Sequence, residues 1–147
     1  MSMYPEDKRL QNFHELFGVK KPVIGMLHLL PLPGSPIYNG QGLNEIIDRA
    51  LSDAEELQAG GVDALEVENF SDPTYYPQEV GPELVAAIAV VSDHVIRKAS
   101  IPVGICILAD PKASLSVAHS VGAKFIRATF FTEASVDELG TNRVSNT

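Results

Sequence analysis

Tryptophan is absent, and cysteine occurs once, at Cys106, in a chain of 147 residues. One thiol excludes an intrachain disulfide framework and fits a reducing compartment. Basic residues are scarce too. Eleven Lys and Arg against nineteen Asp and Glu leave a formal charge of -8. A protein that wraps nucleic acid or docks on anionic lipid carries the opposite sign, so neither partner is expected. Long apolar runs are missing. The greasiest stretch, Val23 to Leu32, falls short of the ~20 residues of a bilayer span and ends in prolines. The first twenty residues are dotted with Glu6, Asp7, Lys8, Arg9, Glu15 and Lys20 and hold no apolar h-region. A cytoplasmic chain with no membrane insertion is therefore expected.

What is present is a globular core. The apolar fraction of 45% excludes wholesale disorder, and the length supports one domain. Residues 1–20 read as a helix: Pro5 suits its first turn, and Leu10, Phe13, Leu16 and Phe17 recur at helical spacing before Gly18. Val23 to Leu29 is apolar on both faces, as a buried parallel strand is. Pro31, Pro33, Gly34 and Pro36 force a loop after it. Leu43, Ile46, Ile47, Ala50, Leu51, Ala54 and Leu57 then mark an amphipathic helix, which Gly60-Gly61 ends. Ala64 to Phe70 alternates, Leu65 and Val67 facing one way and Glu66 and Glu68 the other. A loop with Tyr75 and Tyr76 leads to a helix from Pro82 to Lys98. Val103 to Leu108 is a third strand, Asp110-Pro111 opens a third core helix that runs to Val121, and Phe125 to Phe131 is a fourth strand. Beyond Thr132 a polar tail is expected, without strands.

Strict alternation of strand and helix implies a parallel sheet with right-handed crossovers. An open doubly wound sheet and part of a (β/α)8 barrel both fit. No G-x-G-x-x-G follows the first strand, and glutamates on the second strand's inner face suit a barrel lumen.

Several segments are recognisable together. They are Val23 to Pro36 (VIGMLHLLPLPGSP), Ala59 to Asp63 (AGGVD), Val67 to Phe70 (VENF), Val80 to Glu83 (VGPE), Pro102 to Ile105 (PVGI) and Ala123 to Arg127 (AKFIR). In register from Lys21 to Arg127 the chain resembles the BtpA/SgcQ family. The resemblance implies a (β/α)8 barrel, a class of roughly 250 residues, of which residues 21–131 would be the first four strands. It links the chain to photosystem I biogenesis in photosynthetic bacteria and to relatives in sugar-type operons. Two departures stand out. Four further strands are expected by resemblance where residues 132–147 read as a polar tail, as in a truncated member. Cys106 and Thr129 stand where the family pattern often has asparagine.

Barrel chemistry sits at the carboxyl ends of the strands. His28, at the end of the first strand, is a candidate acid or base, or else a core histidine bonded to a carbonyl. Glu66 and Glu68 lie about 7 Å apart along one face, so at least one carboxyl should be raised in pKa or paired with a cation. Glu68, nearer the top, is the preferred acid, base or ligand-binding group, with Asn69 as a rim donor and acceptor. Glu66 reads as a ligand group or as a counter-charge. Arg127 reads equally as a clamp for a substrate carboxylate or phosphate and as the partner of a strand-two glutamate. Asp110 is a possible ligand group at the mouth, though a helix N-cap explains it fully. Cys106 reads as a small core residue, and His94 and His119 as surface residues. No histidine pair has metal-ligand spacing and there is no Cys/His cluster, so no metal site is expected, although a hard cation such as Mg²⁺ would need only oxygens such as those of Glu68. No cofactor is named by the sequence.

These residues point to an enzyme, or an enzyme-derived site, of lyase, aldolase or isomerase type acting on a small anionic metabolite. A non-catalytic assembly factor and an inactive truncated member are the alternatives. Open strand edges favour self-association, so a homo-oligomer is expected.

Overall fold

The computed structural model describes residues 6–72, 79–108, 110–129, 135–137 and 140–142. The chain runs α1 (Glu6–Phe17), β1 (Ile24–His28), α2 (Leu43–Ala59), β2 (Ala64–Glu68), α3 (Pro82–Lys98), β3 (Val103–Cys106), α4 (Pro111–Val121) and β4 (Phe125–Ile126). The four strands form one parallel sheet in the order β1-β2-β3-β4. No reversal interrupts that order, whereas a doubly wound sheet has one at its switch point.

Alternation divides the sheet into two faces. On one, Leu27, Val67 and Ile105 join Ile46, Ala50, Ile88, Val91 and Val117 of α2, α3 and α4 in a single buried apolar cluster. The other face carries the polar groups. Its register aligns Met26 with Glu66, His28 with Glu68, Glu66 with Gly104, and Glu68 with Cys106. At its lower end the Phe125 ring lies against Gly104, where any side chain would collide. Phe17 of α1 meets that ring edge-on at 5.4 Å between centroids. The aromatic positions of α1 thus find part of their packing partner at the amino ends of the strands.

Helix ends follow local chemistry. Asp110 caps α4 by accepting the Ala113 N–H at 2.8 Å, with Pro111 in the first turn and Gly122 leaving it at φ 77°. After α2 the left-handed residue is Gly61, at φ 85°, and Gly60 stays right-handed.

The strands are shorter than the apolar runs that signal them. The β2 and β3 ladders end at Glu68 and Cys106, where the loops leave the sheet. The β4 ladder ends at Ile126, although the Arg127 N–H still donates to Ile105 O at 3.1 Å. Phe131 and the tyrosine pair Tyr75 and Tyr76 lie outside the described residues. Within the stretch expected as a tail, β5 (Ser135–Asp137) and β6 (Gly140–Asn142) pair antiparallel, apart from the main sheet. Such a hairpin needs backbone pairing and a turn, not the apolar run whose absence argued against strands.

Candidate functional site

Glu68 ends β2 at 1% exposure, with both oxygens engaged. Oε1 accepts from Arg127 Nη1 at 2.9 Å and from Cys106 Sγ at 3.3 Å. Oε2 lies 3.2 Å from His28 Nε2. Charge-assisted bonds of this kind are roughly twice as strong as neutral ones, which offsets the cost of burying the carboxylate. His28 and Arg127 are different. Their side chains are 44% and 52% exposed, so each touches both Glu68 and solvent. With a carboxylate facing Nε2, that nitrogen carries a proton. Phe70 stacks on the imidazole face at 4.2 Å and 17°, fixing its plane.

Glu66 is buried one layer deeper. Its Oε1 stands 3.8 Å from Arg127 Nη1, an ion-pair distance beyond hydrogen-bond reach, and has no hydrogen-bond partner among the described residues. Burial pushes its carboxyl above the ordinary value of 4.5; the Arg127 charge pulls it back and the Glu68 charge adds to the rise. The Cys106 thiol is pushed up to about 12, by burial first and then by the Glu68 charge and hydrogen bond. A thiol in that state is no nucleophile.

The geometry thus brings His28, Glu66, Glu68 and Arg127 together on one face and separates two other candidates from them. Asn69 is buried, with Oδ1 accepting the Leu108 N–H at 2.8 Å and Nδ2 facing Asp72 Oδ2 at 3.4 Å. Asp110 spends Oδ1 on the α4 cap and Oδ2 on the Val80 N–H at 3.1 Å. Both hold loops. Outside the cluster, His94 and His119 are exposed.

Sequence reasoning set aside or passed over three residues, of which two join the site and one ties the loops beside it. Cys106 is placed beside Glu68 by parallel register, which no single-strand pattern reveals. Phe70 covers His28 from the strand-two side. Asp72 accepts the Leu32 N–H at 3.0 Å and so ties the proline loop after β1 to the loop after β2. Its carboxyl is raised by burial, against the bonds from Leu32 and Asn69. The sequence signal for Asp72 was an acidic residue just beyond a strand end, as weak as that for Asp110. Among the described residues no helix is long and apolar enough to cross a membrane.

The profile of the BtpA family matches residues 19–144. The chain is 46% identical over 121 residues to an uncharacterized protein of Pyrococcus abyssi, covering 82% of this chain and 46% of that protein. It is 41% identical over 127 residues to the photosystem I biogenesis protein BtpA of Synechocystis sp., covering 86% and 44%. It is 44% identical over 128 residues to the putative sgc region protein SgcQ of Escherichia coli, covering 86% and 47%. The chain therefore spans about half the length of the curated relatives it matches. No solved structure matches.

Proposed function

Because the chain belongs to the BtpA family, we propose that residues 21–131 form the first half of a (β/α)8 barrel whose strand ends bind a small anionic metabolite and move a proton on it. The helices on one face and the unreversed strand order support the barrel reading. One observation carries the site reading: a buried carboxylate, Glu68, holds two half-exposed partners of complementary chemistry, His28 and Arg127. Arg127 spends Nη1 on Glu68, and the rest of its planar fork suits a carboxylate or phosphate. His28, its Nε2–H directed to Glu68, takes a proton at Nδ1 and returns it, a role typically worth ~10²–10⁴-fold in rate. Glu68 stabilises the imidazolium that forms and is a positioning residue, since at 1% exposure it does not itself meet a solute. Glu66 supplies a second negative charge below. The arrangement fits lyase, aldolase or isomerase steps, which share proton transfer beside an anionic group.

The test is a thermal-shift screen of the chain against phosphorylated sugars and short di- and tricarboxylates, followed by turnover assays on the hits. The expected result is stabilisation by at least one class, lost in Arg127→Gln. Turnover should be lost in His28→Asn while binding is kept. No stabilisation by any member, or stabilisation unchanged in Arg127→Gln, overturns the reading. The name of the Synechocystis relative favours a second reading, a non-catalytic assembly factor. Under it the screen yields no ligand.

A further inference from the structure

We propose that Glu66, Glu68 and Cys106 form a binding site for a thiophilic divalent cation of the zinc type, entered when the guanidinium of Arg127 swings outward. One donor atom from each of the three residues lies within 4.8 Å of the other two, and all three residues are buried. An acidic pair beside a cysteine would not by itself indicate a metal. The second observation is Glu66 Oε1, in a side chain 4% exposed on the same strand face as Glu68, with no hydrogen bond among the described residues and Arg127 Nη1 no nearer than 3.8 Å. Buried polar atoms are nearly always satisfied, and an orphaned carboxylate oxygen calls for a partner.

Charge points the same way. Two carboxylates against one guanidinium leave a net negative charge in a buried cluster. His28 bonds Oε2 of Glu68, and Glu66 has only the Arg127 charge at 3.8 Å, which it shares with Glu68. Once the guanidinium has swung out, a divalent cation offsets the two carboxylates and leaves only the thiolate charge. The donor set selects the ion. Thiolate with carboxylate suits zinc or cobalt and disfavours Mg²⁺ and Ca²⁺, which take oxygen alone.

A tetrahedral ion with usual Zn–O and Zn–S bonds holds its donors roughly 3.3–3.5 Å apart. Cys106 Sγ and Glu68 Oε1 already stand 3.3 Å apart, and a donor at the 4.8 Å limit would close by up to about 1.5 Å. Arg127 now occupies the entry, at 2.9 Å from Glu68. Its half-exposed side chain reaches solvent, so displacement does not bury a new charge. On binding, the Cys106 S–H bond breaks, sulfur donates its electron pair to the metal, and the proton leaves to solvent. The metal keeps its oxidation state. The inference does not rest on metabolite binding and is read with the metal alone.

Cys106 is the only cysteine, so any thiolate-to-metal signal reports this site. Cobalt(II) is titrated into the chain, the near-ultraviolet sulfur-to-cobalt charge-transfer band is followed, and zinc is then added as competitor. The expected result is a band saturating at one cobalt per chain, displaced by zinc, abolished by urea and absent in Cys106→Ser. Glu66→Gln should raise the cobalt midpoint by more than ~10-fold, a scale at which even outer-shell partners count. Arg127→Gln should lower it, an effect that a purely structural arginine would not produce. A wild-type chain that shows no band, or a midpoint unchanged by Glu66→Gln, overturns the proposal. The metabolite screen, read without metal, fails or succeeds separately.

Discussion

A carboxylate at 1% exposure must find its partners inside the protein, and Glu68 finds three, on three different strands or their ends. Glu68→Gln keeps the shape and removes the charge. It should cost about 1–3 kcal/mol in urea unfolding, the usual scale for a bond to a charged group. Glu66 behaves in the opposite sense. Its carboxyl is raised by burial above 4.5, so from that pH upward the folded chain retains a proton that the unfolded chain has released. Folding then takes up a proton, and stability falls as pH rises through the raised value. Asp72, raised from 3.8 by burial, adds to the same slope. Urea midpoints measured from pH 4.5 to neutrality should therefore decline, and Glu66→Gln should flatten the decline. An equal slope in the variant would show that Glu66 titrates normally. At this scale the sequence was informative about pairing. Two glutamates on one strand face called for a raised carboxyl or a cationic partner, and both are present: burial raises Glu66, and Arg127 lies beside the pair. The sequence was silent on Cys106, because nearness to Glu68 comes from strand register rather than from the chain around the cysteine.

Elements were legible where periodicity was strong. The i, i+3, i+4 pattern of α2 and the alternation of β2 each reflect a buried apolar face; α2 forms where it was expected, and β2 starts at Ala64 as expected but ends at Glu68, two residues before Phe70. Strand ends were less legible, since apolar character persists past the last ladder bond: Leu108 and Arg127 follow β3 and β4 without belonging to them. The α1–β4 contact was not visible either. It depends on Gly104 having no side chain, so that Phe125 can lie across β3 and receive Phe17. Gly104→Ala should cost ~1–3 kcal/mol by overpacking and increase hydrogen exchange in α1. Unchanged exchange would mean that α1 is held by other contacts. Asp110 is an element residue as well. Asp110→Ala should cost about 1–2 kcal/mol as a lost cap while turnover per folded molecule stays unchanged.

For the whole molecule, the sheet has two outer strands, β1 and β4, and each pairs with only one neighbour among the described residues. Barrel closure removes such edges. We propose that the chain covers them by self-association, two copies related by a two-fold axis pairing β4 of one with β1 of the other. Light scattering across micromolar concentrations should show a dimer, and a cooperatively unfolding monomer throughout that range would refute it. The central claim concerns the strand ends, where His28 and Arg127 share Glu68. Its most direct test is an NMR titration of the chain with inorganic phosphate and with succinate, following the His28 imidazole and Arg127 guanidinium resonances. The account predicts that both move together along one saturation curve for at least one anion and that Arg127→Gln abolishes the His28 shift. Resonances that stay still with both anions, or shifts confined to surface lysines, would contradict it.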